Sequence, residues 1–384
     1  MIYLDNAATS FPKPPEVLKA VAEALAAPAS PGRSGHAPAL AASRIIHKAR
    51  KNLARLLGAP DNSRLVFTPN VTWSLNIVLN GFGLKPGDHV ISGSLEHNST
   101  ARPLSRFQRE GQVNWEVVPP GPDGLLKPED FKARLNPKTR LVVLNHASNV
   151  TGSLAPAKAI KEAIGDIPLL LDAAQTAGSM PMDDYCQWAD FIAFTGHKGL
   201  LGPTGTGGLW IREGLDLRPL SVGGSGSRSE SLVHPDFLPD ALEPGTANTH
   251  GLAGLAAGVG FLLDVGLDKV RDHEMELTQW FLERIIDIPG LKIIGPGPGV
   301  KERVACVSVV LDGWSSSDLA AALESGYGIM VRSGLHCAPL THQFMNTMPG
   351  GASRFSIGYF NTLDDVKTAA WALSELAAKK PSRA

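Results

Sequence analysis

The fold is decided by three short runs between residues 169 and 210: Leu169-Leu-Leu-Asp172-Ala-Ala-Gln175, Phe191-Ile-Ala-Phe-Thr195-Gly-His197-Lys198 and Gly207-Gly-Leu-Trp210. Each of the first two begins with apolar residues over the length of a strand and ends in polar ones. Such runs are typical of buried parallel strands, and open α/β sheets bind ligands at the carboxyl ends of their strands. The sequence therefore predicts a ligand site at the sheet edge that carries Asp172 and Lys198.

A buried aspartate opposite a buried lysine is costly unless something joins the two charges. Pyridoxal phosphate would do so, because the lysine forms a Schiff base with it and the carboxylate keeps its pyridinium nitrogen protonated. The alternative is that Asp172 and Lys198 are ordinary surface residues at strand ends, which their spacing alone does not exclude.

The exact residues of these runs also allow a comparison with known protein families. Asp172-Ala-Ala-Gln175 followed by Thr195-Gly-His197-Lys198 resembles the aminotransferase class V family of fold-type I enzymes. Within that family it is most similar to the cysteine desulfurases, in the branch of sulfur-mobilising desulfurases and selenocysteine lyases. The resemblance extends from Asp5 to about Leu376. It implies an α/β fold, with a large domain built on a mostly parallel seven-stranded sheet flanked by helices and a smaller C-terminal α+β domain.

Composition limits the other classes of function. The chain has 384 residues, 43% of them hydrophobic, with a formal net charge of −1, which suits two or three domain-sized units and gives no indication of a nucleic-acid or membrane partner. Three cysteines, Cys186, Cys306 and Cys337, match neither a disulfide framework nor a zinc site, so no metal is expected. The start of the chain resembles no targeting signal and no apolar run approaches roughly 20 residues, so we expect a cytoplasmic protein.

The order of strand and helix patterns predicts the domains. Strand-like runs near residues 65–67, 87–92, 113–118 and 141–144 alternate with helical patterns, which favours a parallel sheet with helices on both faces. We expect an N-terminal arm over residues 1–35, a large cofactor-binding domain over residues 36–260 and a small α+β domain over residues 261–384.

The resemblance assigns roles around the cofactor. It implies that Lys198 carries pyridoxal phosphate as a Schiff base and that Asp172 holds its ring nitrogen. It also implies that His97 stacks on the ring and shuttles protons, for which a pKa near neutrality is suited. The other implied cofactor contacts are Asn149 and Gln175 at the phenolic oxygen, and Val71, Thr72, Thr195 and His197 at the phosphate. The turn before Val71 independently has the strand–turn–helix pattern that offers backbone N–H groups to an anion.

Another segment bears on assembly. Glu243-Pro-Gly-Thr246 resembles the family segment whose threonine reaches the phosphate of the neighbouring subunit. The alternative is a disordered linker, since residues 221–250 are rich in glycine, serine and proline. The resemblance implies a homodimer with a shared active site to which Thr246 contributes.

Residues 330–339, Met-Val-Arg332-Ser-Gly-Leu335-His336-Cys337-Ala-Pro, decide the substrate. A cysteine in such a loop is by itself more often an inert small hydrophobe, but His336 and Arg332 could favour its thiolate. The segment resembles the Arg-x-Gly-x-His-Cys-Ala of the desulfurases, with Leu335 where related enzymes often carry another histidine, and it implies that Cys337 attacks the substrate sulfur. Arg354 matches the family arginine that grips the substrate α-carboxylate through two parallel hydrogen bonds. The other substrate-side residues that we expect are Arg332, Asn149, His36 and Ala8.

The implied reaction converts L-cysteine to L-alanine, with sulfur held as a persulfide on Cys337 and passed to an acceptor such as a protein in sulfur metabolism or iron–sulfur cluster assembly. Three enzymes of the same fold remain as alternatives: a selenocysteine lyase, a cysteine sulfinate desulfinase and a class V aminotransferase. A non-catalytic scaffold is the alternative of another class. A scaffold has no reason to keep both Lys198 and Asp172, which argues against it.

Overall fold

The computed structural model describes residues 1–27, 31, 35–121 and 124–379. Residues 28–30 and 32–34 of the expected arm, and residues 380–384 of the expected small domain, lie outside the described residues, as do residues 122 and 123. The three expected domain boundaries stay predictions.

Strands and helices alternate over most of the chain. The described strands are β1 (Ile2–Tyr3), β2 (Leu65–Thr68), β3 (Asp88–Gly93), β4 (Val113–Val118), β5 (Thr139–Asn145), β6 (Leu169–Asp172), β7 (Phe191–Thr195), β8 (Gly207–Ile211), β9 (Leu291–Ile294), β10 (Cys306–Leu311), β11 (Ile329–Met330), β12 (Arg332–Gly334) and β13 (Ala352–Ser356). The described helices are α1 (Pro15–Ala26), α2 (Ala37–Leu57), α3 (Val71–Gly81), α4 (Asn98–Arg109), α5 (Pro128–Lys132), α6 (Ala157–Ile164), α7 (Tyr185–Trp188), α8 (Thr249–Val265), α9 (Leu267–Ile285), α10 (Ser316–Tyr327), α11 (Pro339–Phe344) and α12 (Leu363–Ala378).

Seven of the described strands form the large sheet, in the order β2-β8-β7-β6-β5-β3-β4. The pairs from β7 through β6, β5 and β3 to β4 are parallel, and β8 runs antiparallel to both of its neighbours. This confirms the predicted α/β fold with a mostly parallel seven-stranded sheet. Parallel order places the ends of β5, β6 and β7 at one edge, where Asn145 and Asp172 are direct neighbours.

Both faces of the large sheet are covered. Along β6, Leu169 and Leu171 pack into one apolar core, whereas Leu170 packs into another on the opposite face. Side chains alternate between the two faces of a strand, so a strand that is buried on both faces must be apolar at every position. This is why β6 and β7 read as continuous apolar runs in the sequence.

The smaller sheet is antiparallel, in the order β12-β13-β10-β9, and it packs with α9, α10 and α12 around a separate apolar core. Val331 separates two short strands: β11 pairs with β1 at the start of the chain, and β12 pairs with β13. Helix α11 follows the Cys337 segment directly, from Pro339 to Phe344. The smaller sheet thus places Arg354 and the Cys337 segment beside the first residues of the chain.

Helices α8 and α9 follow the large sheet and meet at an angle of 83°. Among the described residues, no single helix combines the length and the apolar character needed to cross a membrane. In the part of the chain that the structure describes, one bent pair, α8 with α9, meets that test by length and composition.

Candidate active site

The ends of β6 and β7 bring Asp172 and Lys198 to one edge of the large sheet. Asp172 is the last residue of β6, and its buried Oδ1 accepts a hydrogen bond from the backbone N–H of Ala174 at 3.0 Å. Lys198 follows the last residue of β7 after a two-residue turn. Within the described part of the chain, no hydrogen bond or ion pair is formed by the Lys198 amino group. The two charged groups therefore lie near each other without direct contact.

Burial sets the charge of both groups. It lowers the pKa of Lys198 to about 8, with Asp172 opposing the shift and Arg354 and Arg332 adding to it. Burial also raises the pKa of the Asp172 carboxyl, against the opposing effects of the Ala174 N–H and the Lys198 charge. Lys198 therefore has an appreciable neutral fraction near neutral pH, as a nucleophilic or basic lysine requires.

His97 lies at the start of α4. Its Nδ1 accepts a hydrogen bond from the backbone N–H of Ser99 at 3.1 Å, which leaves the proton of the neutral ring on Nε2. Burial, and next the positive charges of Lys198 and Arg332, lower the pKa of His97 to about 4. The protein alone therefore does not give His97 the near-neutral pKa that suits proton shuttling, because the ring is buried and cations surround it.

The residues expected at the phosphate lie at two neighbouring positions. Val71 and Thr72 form the first turn of α3, where Asn70 caps the helix by accepting from the N–H of Trp73 at 3.1 Å. The first backbone N–H groups of a helix lack intrahelical partners, and together with the helix dipole they favour an anion. Thr195 at the end of β7 is buried, on a strand of the same sheet. His197 follows it, and burial, then the charge of Lys198, lowers the pKa of His197 to about 4.

Arg354 lies fully buried in β13. Its Nη1 donates to the backbone carbonyl of Asn149 at 3.1 Å and its Nη2 donates to Oδ1 of Asp5 at 2.6 Å, whereas its Nε has no partner. Nε and Nη2 form one side of the guanidinium fork, and that side is the geometry that a carboxylate occupies. Among its guanidinium nitrogens, Arg354 thus has in Nε a buried donor without a partner.

The Cys337 loop is held from the large-sheet side. The carbonyl of His336 accepts from Asn149 Nδ2 at 2.7 Å, and the carbonyl of Cys337 accepts from the N–H of Asn98 at 2.7 Å. His336 and Cys337 have φ values of +49° and +55°, a left-handed conformation that costs non-glycine residues energy and persists only when the surroundings impose it. The thiol itself is exposed.

The interpretation that a positively charged His336 favours the Cys337 thiolate is wrong, because the His336 imidazole is neutral. His336 is buried, its ring packs on that of His342 with centroids 5.7 Å apart, and burial lowers its pKa to about 3. A neutral imidazole adds no positive charge beside the thiol. Arg332 is exposed and stays the cation of this segment.

Of four further expected residues, Gln175 lines the same pocket as Lys198, whereas His36, Ala8 and Thr246 do not line it. His36 is exposed and caps α2 by accepting from the N–H of Ala39 at 3.3 Å. Ala8 donates its N–H to the carbonyl of Asp5 at 3.0 Å. Gln175 donates its amide to the carbonyl of Ala7 at 3.1 Å. Thr246 lines a separate groove, beside the ion pair of Arg50 and Glu243.

Several residues around Lys198 were missed by the sequence reasoning. Asp5, which the sequence analysis named only as the start of the resemblance, forms the ion pair with Arg354. Ser10 and Lys13 contact the turn that carries Lys198. Glu274 lines the pocket that Lys198 also lines, together with Cys306. A polar residue within an apolar helix face was the only signal for Glu274, and no local pattern marked the other three.

The residues present fit pyridoxal phosphate. Buried polar atoms without a partner include Asn149 Oδ1, His197 Nδ1 and Arg354 Nε, all on side chains expected to face the cofactor or the substrate. An unpartnered buried polar atom is costly, so these atoms indicate groups that a ligand satisfies. Asp172 supplies the carboxylate for a ring nitrogen, Lys198 the amine, and the α3 terminus the anion site.

Comparison with known proteins gives consistent results. The family model described as aminotransferase class-V matches residues 2–368. A probable cysteine desulfurase from Methanothermobacter thermautotrophicus is 33% identical over 385 residues, covering 98% of this chain and 94% of the relative. The apo structure of a cysteine desulfurase from Thermococcus onnurineus NA1 superposes with a TM-score of 0.92 at 32% identity, covering 98% of this chain and 94% of that one. The cysteine desulfurase CsdA from Escherichia coli superposes with a TM-score of 0.85 at 27% identity, covering 97% and 94%.

Proposed function

Because this chain belongs to the aminotransferase class-V family, we propose that it is a pyridoxal-phosphate-dependent cysteine desulfurase. The observation that carries the proposal is the attachment of the Cys337 loop. Asn149 holds the carbonyl of His336 through its side chain and the guanidinium of Arg354 through its own carbonyl. One asparagine therefore ties an exposed thiol to the arginine expected to bind the substrate, which a transaminase would not need.

When bound, pyridoxal phosphate withdraws electrons from the amino acid Cα and Cβ. Lys198 would hold it covalently, with Asp172 at the ring nitrogen and Asn149 and Gln175 at the phenolic oxygen. The residues that would hold its phosphate are Val71, Thr72, Thr195 and His197. His97 would cover the ring.

Arg354 orients the substrate by binding its α-carboxylate, which fixes the Cα–H bond for cleavage. Lys198 moves the proton, since its lowered pKa leaves part of the amine free to act as a base. We assign this task to Lys198 rather than to His97, because His97 with a pKa of about 4 is a weak base and carries almost no proton to give near neutral pH.

In the sulfur step the Cys337 thiolate attacks the sulfur of the bound cysteine. An S–S bond forms as the Cβ–S bond breaks, the electron pair of the broken bond stays with carbon, and a proton from Lys198 completes alanine. L-cysteine and the Cys337 thiol thus become L-alanine and a Cys337 persulfide, with no external oxidant or reductant.

The proposal includes a cytoplasmic homodimer that passes sulfur to an acceptor protein in sulfur metabolism, for example in iron–sulfur cluster assembly. Support for the shared site is that Thr246 lines a groove with Thr68 and Gly205, and that Lys198 does not line this groove. Support for a reducing compartment is that Cys186, Cys306 and Cys337 are all free thiols.

A single-turnover reaction with L-cysteine tests the proposal. Wild type and Cys337→Ala are compared by alanine formed and by mass spectrometry of the protein, with Cys186→Ala as a control because Cys186 is a buried thiol of the same chain. We expect one persulfide on Cys337 and alanine from wild type and the control, and neither from Cys337→Ala. Alanine from Cys337→Ala at the wild-type rate would favour selenocysteine lyase or sulfinate desulfinase chemistry. Absence of alanine from wild type would favour an aminotransferase.

A further inference from the structure

The N-terminal arm holds the backbone at Lys198 through an array of hydrogen bonds. The His197 carbonyl accepts from the Ser10 N–H at 3.0 Å, from the Lys13 ammonium at 2.9 Å and from the Thr9 hydroxyl at 3.1 Å. The carbonyl of Lys198 itself accepts from the Ser10 hydroxyl at 2.8 Å. Lys13 also donates to the Ser10 hydroxyl at 2.6 Å, so Ser10 and Lys13 act as one unit, the carbonyl clamp.

Lys13 combines partial burial with the lack of a carboxylate partner among the described residues, which is unusual for a lysine. It is half-buried, and within the described residues it forms no ion pair with a carboxylate. Burial lowers its pKa to about 8. A desolvated cation without a counter-charge costs free energy, and its hydrogen bonds go to the turn that carries Lys198.

The same arm contacts the rest of the site. Asp5 binds Arg354, and the carbonyl of Ala7 accepts from Gln175 at 3.1 Å. The segment from Asp5 to Lys13 therefore touches the substrate arginine and the cofactor lysine together. A displacement of the arm would move both.

We propose that Ser10 and Lys13 are positioning residues for Lys198. By fixing the backbone of Lys198, they hold the base of its side chain in one position at the sheet edge. The physical reason is the flexibility of lysine: its side chain has four rotatable bonds, and the Lys198 amine has no partner among the described residues. With no such partner, the backbone from which the side chain extends is one determinant of the amine position, and misplacement of about 1 Å costs a reacting group on the order of 100-fold in rate. The inference rests on the proposed cofactor but not on the proposed sulfur chemistry.

Capture of pyridoxal phosphate by the apoprotein tests this inference. The rate is followed by absorbance, and borohydride reduction with peptide mass spectrometry reports the fraction attached to Lys198. The variants are Lys13→Met, which removes charge and donors, Lys13→Arg, which keeps both, and Ser10→Ala. Lys19→Met is the matched control, because Lys19 lies on the nearby helix α1 with 75% of its side chain exposed.

We expect Lys13→Met to slow capture by about tenfold or more and Lys13→Arg to restore it to within about threefold. Ser10→Ala slows capture as well. The double variant Ser10→Ala/Lys13→Met is slowed by a smaller factor than the product of the two single-variant factors, since both residues act through one unit. Lys19→Met captures at the wild-type rate.

Wild-type rates for both Lys13→Met and Ser10→Ala would overturn the inference, as would a loss in Lys13→Met that Lys13→Arg does not restore. If Lys13→Met does not fold by circular dichroism, Ser10→Ala alone decides in the same way. Failure of wild type to capture the cofactor would instead refute the proposed function. Capture without alanine formation would refute the desulfurase activity but would not affect the inference about the carbonyl clamp.

Discussion

The carboxylate of Asp5 and the guanidinium of Arg354 lie 2.6 Å apart although 349 positions separate them in the chain. Arg354 is fully buried, whereas the Asp5 side chain is 22% exposed. The same guanidinium donates to the carbonyl of Asn149 on the large-sheet side. One arginine therefore joins the N-terminal arm, the smaller sheet and the large sheet, and these contacts leave its Nε as the unpartnered donor.

This geometry predicts the effect of Arg354→Lys. A lysine keeps the positive charge but loses the fork that binds a carboxylate with two hydrogen bonds, each worth about 1.5–3 kcal/mol when charged. We expect KM for L-cysteine to rise by about tenfold or more, with a smaller change in kcat, measured by steady-state alanine release. Arg106→Lys is the control, because Arg106 is on the surface of α4. An unchanged KM would mean that another residue binds the carboxylate.

The pKa of Lys198 predicts how the apoprotein reacts with pyridoxal phosphate. Burial lowers this pKa to about 8, so about one amine in ten is neutral at pH 7, against roughly one in three thousand at the ordinary value. Only the neutral amine attacks an aldehyde, so we expect the capture rate to rise with pH and level off above about pH 8. A rate that keeps rising to pH 10 would show that Lys198 is as solvated as a surface lysine.

Asn149 is expected to hold the Cys337 loop even without cofactor. Asn149→Ala removes the 2.7 Å hydrogen bond to the His336 carbonyl, and the left-handed backbone at His336 and Cys337 then loses one of its two anchors. Hydrogen exchange of the apoprotein should become about tenfold faster in residues 335–339. Asn76→Ala, on the exposed face of α3, serves as the control. Equal exchange in Asn149→Ala and wild type would refute the anchor.

Glu274 is expected to make the apoprotein less stable as pH rises. Burial raises its pKa to about 8, with Arg271 opposing, so the folded state binds the proton more tightly than the unfolded state does. The stability that this proton provides is complete below the unfolded pKa, about 4.5, and is lost as pH rises through about 8. Glu274→Gln removes the charge, so its Tm should exceed that of wild type at pH 8.5 and match it near pH 4.5. Glu276→Gln, exposed on the same helix, should leave Tm unchanged at both pH values.

Local residue patterns were enough to predict the parallel strands of the large sheet and the positions of Asp172 and Lys198 at its edge. Strands β6 and β7 are buried on both faces, so nearly every position along them is apolar. Such a continuous apolar run predicts a buried strand without knowledge of the strands beside it. The positions of Asp172 and Lys198 follow from that, because parallel strands share one carboxyl edge. The family resemblance rested on the same local motifs, and the match over residues 2–368 confirms it.

Tertiary structure alone decided the charges and the long-range contacts. His97 and His336 are neutral because burial and nearby cations lower their pKa values, and those neighbours come from distant parts of the chain. Contacts of Ser10 and Lys13 with the Lys198 turn likewise join segments about 190 residues apart. A pKa or a hydrogen bond depends on which groups meet in space, and a local pattern of residue types does not encode that.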